Sequence, residues 1–104
     1  MTKVEIHAGA CGFSVIVTAT EGDPKKIKLT IETDCEHVKE LSGKIESLGI
    51  KDICGRPFGE DKVYQAARGV IRHASCPVPC AIIKTAEAEF GLAVKKDVLI
   101  HFTD

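Results

Sequence analysis

Apolar residues recur at every second position through the first third of the chain, a period that suits a half-buried strand and not a helix. Val4, Ile6 and Ala8 alternate with polar neighbours over about residues 2–8, and Phe13, Val15, Val17 and Ala19 do so over 13–20. Ile27, Leu29 and Ile31 then oppose Lys28, Thr30 and Glu32. Gly9-Ala10-Cys11-Gly12 and Glu21-Gly22-Asp23-Pro24 carry the turn residues that separate these runs. The segment up to Thr33 therefore reads as a three-stranded antiparallel meander with one wet face.

The period changes at Thr33. Thr33-Asp34-Cys35-Glu36 matches a capping box, with Thr33 as N-cap and Glu36 reaching back to its N–H. Val38, Leu41, Ile45 and Leu48 follow at helical spacing, and Gly49 is a natural stop. Residues 50–59, with Gly55, Pro57 and Gly59, read as a loop. Val63, Ala66, Ala67, Val70 and Ile71 predict a second helix reaching to about His73. Pro79 suits the first turn of a third helix that runs to Phe90 and is closed by Gly91. Val98, Ile100 and Phe102 form a last strand, which must join a sheet to be buried. The expected architecture is α+β: a small, mainly antiparallel sheet, the meander plus the C-terminal strand, with about three helices on one face. Residues 1–104 suit one domain.

Charge narrows the partners. Fourteen basic residues against fifteen acidic ones give a formal net charge of −1, and Trp is absent. No basic surplus exists to neutralise phosphates, so nucleic acid is not expected as a partner, while a protein partner remains open. No apolar run approaches the roughly 20 residues that span a bilayer, and the N-terminus lacks the apolar core of a signal peptide. The expected location is the cytoplasm, with no membrane partner. The five cysteines are odd in number and irregularly spaced, unlike a secreted disulfide framework, so thiols or ligands are expected.

Three of those cysteines fall at turns leading into regular structure. Cys11 lies between glycines that expose N–H groups to sulfur or to an anion, although a tight turn uses glycines without any ligand. Cys35 falls in the first turn of the first expected helix, where the dipole favours a thiolate; otherwise it fills the seam between helix and sheet. Cys76 and Cys80 flank Pro77-Val78-Pro79, which holds both near the start of the third helix. Their Cys-x-x-x-Cys spacing differs from the usual Cys-x-x-Cys of zinc sites. Cys80 could equally begin a buried helical stripe with Ile83, a reading less apt for Cys76 among its prolines. Cys54 reads as a bystander in the loop, and His73, three residues before Cys76, could be a further ligand. His7 and His101 fall on the polar phase of their strands. No Gly-x-Ser-x-Gly, phosphate-binding loop or dinucleotide fingerprint is present.

The runs Ala10-Cys11-Gly12-Phe13, Thr33-Asp34-Cys35 and Ala74-Ser75-Cys76-Pro77-Val78-Pro79 resemble a family of small proteins from methanogenic archaea and other anaerobes, over nearly the whole chain. The resemblance implies a single-domain intracellular protein of unassigned function in which Cys11, Cys35 and Cys76 match the shared motifs. It supplies no activity.

These observations yield a metal reading in which Cys11, Cys35 and Cys76, with Cys80 or His73 as a fourth ligand, hold an iron–sulfur cluster or a soft metal such as zinc. An enzyme-class alternative is a thiol redox or transfer protein in which one low-pKa cysteine attacks and another resolves. A third is a small interaction module whose cysteines are simply buried.

Overall fold

The structure, a computed structural model, describes residues 1–22 and 25–104; the expected turn at Glu21-Gly22-Asp23-Pro24 falls partly outside them. Three strands, β1 (Thr2–His7), β2 (Ser14–Glu21) and β3 (Lys26–Thr33), pair antiparallel in chain order. Their register sets Val4 against Val17 and Val17 against Ile31, with Ile6 against Val15 in the next row. One face thereby collects Ile6, Val15, Val17, Ala19, Ile27 and Leu29, all buried, while Lys3, Glu5, Thr18, Lys28 and Thr30 occupy the other. The α+β expectation holds: helices pack against the buried face of a four-stranded antiparallel sheet.

The fourth strand is not the one expected. Helix α1 (Glu36–Ser42) ends after two turns at Gly43, and the chain returns as β4 (Ser47–Gly49), antiparallel to β3 with Leu48 opposite Ile27. Ile45 and Leu48 are fully buried, as their spacing requires, but from an extended return and not from a longer helix. Residues 94–104, which include the expected strand at Val98, Ile100 and Phe102, carry no regular secondary structure and lie exposed.

Thr33 is likewise not an N-cap. It stays in the sheet opposite Val15, and its hydroxyl accepts the Cys35 N–H at 3.1 Å, so Cys35 itself takes the N-cap position of α1. Glu36 pairs with Lys39 at 3.3 Å instead of reaching back. A short helix α2 (Ile50–Ile53) interrupts the expected loop, with the Asp52 carboxylate accepting the Gly49 N–H at 2.7 Å.

Helix α3 (Lys62–Ala67) starts at Asp61, whose carboxylate accepts the N–H groups of Val63 and Tyr64. It is shorter than the reading to His73, ending in turns at Val70 and Ile71 that bond back to Ala67. Helix α4 (Val78–Glu89) has proline in its first turn and ends at Phe90. The N–H groups of Gly91 and Leu92 bond Ala88 O and Glu87 O, a Schellman stop in which Gly91 takes φ +77°. Helix α4 lies on β1 and β2 through Val78, Ile82 and Ala86, α1 covers β3, and α3 packs beside α4.

Candidate functional site

Topology brings three cysteines to one pole of the molecule. Cys11 lies in the turn after β1, and Cys35 follows β3, whose last residue Thr33 pairs with Val15 at the start of β2. The Thr33 hydroxyl also donates to Ser14 O at 3.3 Å, which holds these two chain segments side by side. At the opposite pole the Thr2 hydroxyl donates to Glu89 Oε1 at 2.7 Å, tying the end of α4 to the start of β1. Helix and strand are each about 17 Å long at their standard rises. The start of α4, with Cys76 just before it, therefore falls at the same pole as Cys11 and Cys35.

Electrostatics agrees with this placement. Burial pushes the Cys76 thiol above its ordinary value, a hydrogen bond from the Val78 N–H pulls it part of the way back, and the neighbouring Cys11 and Cys35 add to the rise. Cys76 and Cys35 are half-buried against the core, whereas Cys11 is exposed. The Cys11 turn closes through Gly12 N–H to Gly9 O at 2.9 Å, with positive φ at both glycines. A Cβ on either glycine would meet no atom within 4 Å, so the backbone angle, and not crowding, calls for glycine there.

Cys80 stands apart from this group. It is exposed, so it does not begin the buried stripe of α4, which runs through Val78, Ile82, Thr85 and Ala86. The roles weighed from the sequence are thus reversed: Cys76, among its prolines, is the thiol packed on the core. Cys80 lines a cavity of about 250 Å³ with Arg56, Phe58, Asp61, Tyr64 and Lys84. Cys76 and His73 line a second cavity of about 250 Å³ that shares Tyr64 and Gly59 with the first. Burial, followed by the charges of Cys80, Asp61 and Cys76, raises the Tyr64 phenol. Tyr64, which the sequence reading passed over, is therefore the side chain between the two cavities, and a lone Tyr in a helical stripe offers no signal of that role.

His73 contributes its carbonyl to the Cys76 N–H at 3.1 Å, while its ring is exposed. Cys54 is half-buried at the end of α2, and its N–H bonds Ile50 O. His7 is exposed and bonds Glu5 at 3.0 Å and Ser14 at 3.2 Å. All five cysteines are free thiols. Among the described residues no three His, Cys, Asp or Glu side chains stand in metal-ligating geometry, and no helix is long and apolar enough to cross a membrane. Cys11, Cys35 and Cys76 thus share a pole without forming a closed ligand set.

No curated protein and no solved structure matches the chain. A family model does, over residues 2–102, and the chain belongs to that family, described as a family of unknown function (DUF6951).

Proposed function

We propose that Cys11, Cys35 and Cys76 act together as a thiolate site for a soft metal ion or an iron–sulfur cluster. The observation that supports this reading is the shared pole: three thiols arrive there from three elements separated by 24 and 41 residues in sequence. Thiolates crowded together repel one another, and a soft cation is the partner that turns that repulsion into attraction. Two of the thiols sit against the core, while the third rides on an exposed glycine turn. Cys80, exposed one helical turn beyond Cys76, and His73, whose ring is exposed, are the candidates for a fourth position. The redox reading asks for an attacking thiol with a lowered pKa, and Cys76 is shifted the other way.

The test is metal and acid-labile sulfide analysis, with a visible spectrum, of protein purified without oxygen. Stoichiometric zinc, or iron with sulfide, that disappears in Cys11→Ser, Cys35→Ser and Cys76→Ser but persists in Cys54→Ser is the expected result. A folded, colourless, metal-free protein that also fails to take up zinc or iron on titration overturns the proposal.

A further inference from the structure

Two elements of this molecule lack the partner that their chemistry calls for. The first is the outer edge of β1. The sheet order puts β1 at one end, β2 is its one strand partner, and the backbone bonds among the described residues leave its outward side unpaired. Such an edge is a template for another strand. It is long for an unprotected edge, six residues, and it contains no proline.

The second element is the segment after α4. Leu92, Val94, Val98, Leu99, Ile100 and Phe102 are all exposed, five of these six by 62% or more. Val98, Ile100 and Phe102 share one face of an extended chain, and five residues at about 3.3 Å each match the span of β1. A run this apolar and β-prone does not stand in water without a cover. The structure also shows where the segment sets out. The Thr2–Glu89 bond and the contact of Lys95 Nζ with Met1 O at 3.4 Å put its root beside the first residue of β1. Beyond that point it does not lie on the edge of its own sheet.

We infer that residues 98–102 add as a fifth strand to the β1 edge of a second copy of this chain, in a reciprocal exchange. A two-fold axis makes the exchange self-consistent: one copy's segment covers its partner's β1 while the partner's covers the first, and both edges vanish together. The second copy is favoured over an unrelated protein because the donor strand and the acceptor edge are both present on every molecule and start from the same corner. The wet face of β1, with Lys3, Glu5 and His7, and the Lys95-Lys96-Asp97 approach of the segment carry charges of both signs, so no net repulsion opposes the pairing.

The test is the mass of the full chain in solution by light scattering, combined with amide hydrogen exchange. A dimer with slow exchange at 98–102 and in β1 is expected. The double variant Val98→Lys with Ile100→Lys should be a folded monomer in which both segments exchange fast, since neither side chain touches the core. Mixing two differently tagged wild-type preparations after partial denaturation and refolding should give a mixed dimer, a readout independent of any variant. A wild-type monomer with residues 98–102 exchanging fast overturns the inference. A monomer with those residues protected also overturns it, by showing that the segment folds back on its own β1. A dimer that the double variant leaves intact overturns it as well.

Discussion

The two ends of helix α4 make opposite use of polar chemistry. At its end, Glu89 finds the Thr2 hydroxyl, the Met1 amine and Lys95, and every buried polar side-chain atom among the described residues has a partner. At its start, Cys76 is half-buried, is held by a single N–H and shares its pole with the thiols of Cys11 and Cys35. One end is a finished structural clamp, and the other keeps reactive groups together without a mutual bond. The same helix carries both, so what fixes the clamp also fixes the placement of the thiol pole.

The strongest way to break the contrast is to detach the helix. Ile82 is fully buried at its middle, and Ile82→Ala should cost about 2–5 kcal/mol in chemical unfolding, because a cavity adds to the lost burial. Both ends should loosen together, with faster exchange at Thr2 and faster alkylation at Cys76.

A smaller effect is expected beside the thiol pole. Asp61 caps α3, whose residues Tyr64 and Ala67 wall the cavity next to Cys76. Asp61→Ala removes the one carboxylate oxygen that accepts two N–H groups and should cost about 1 kcal/mol, measured by urea unfolding, without disturbing the Thr2–Glu89 end.

The clamp itself has a pH signature. The Thr2 hydroxyl, aided by the Met1 amine, holds the Glu89 carboxyl below its ordinary range, against the opposing effect of burial. A carboxyl with a depressed folded-state pKa adds stability above its unfolded value, near 4.5, and loses it as pH falls through the folded value. Thr2→Val should therefore lower stability at neutral pH and flatten the acid side of the stability profile. Retention of the wild-type acid slope would show that Thr2 does not hold the carboxylate.

The smallest effect sharpens the other end. In metal-free protein, Cys11→Ser should change stability by less than about 0.5 kcal/mol, since the side chain is exposed. Timed alkylation followed by mass spectrometry should label Cys11 and Cys80 before Cys35, Cys54 and Cys76, in the order of their exposure.

The meander was legible because alternation is a local signal: Val15, Val17 and Ala19 face one way whatever follows them. The extent of α1 was not. Val38, Leu41, Ile45 and Leu48 meet the helical period, yet the last two are buried equally well from the extended return into β4, and Gly43 ends the helix between the two pairs. The fourth strand was misplaced for a related reason. Residues 98–102 have the composition of a strand, but composition does not say which edge receives a strand, and the sheet's fourth strand is Ser47–Gly49 beside β3. Of the candidate site, Cys11, Cys35 and Cys76 were readable as turn cysteines, while their convergence rests on register and on the Thr2–Glu89 tie, both long-range. Cys80 lay beyond sequence reasoning because its direction depends on where α4 begins and how it rolls against the sheet.

The hydrogen bond between Thr2 and Glu89 joins residues 87 positions apart. During synthesis β1 waits for α4, so the apolar face of the first hairpin stays uncovered until nearly all of this sequence has left the ribosome. A permuted chain that joined residue 104 to residue 1 through a linker and opened elsewhere would keep the Thr2–Glu89 bond, bring its partners closer in sequence and shorten that exposed interval. Faster refolding with an unchanged equilibrium stability is what such a circular rearrangement would be built to show.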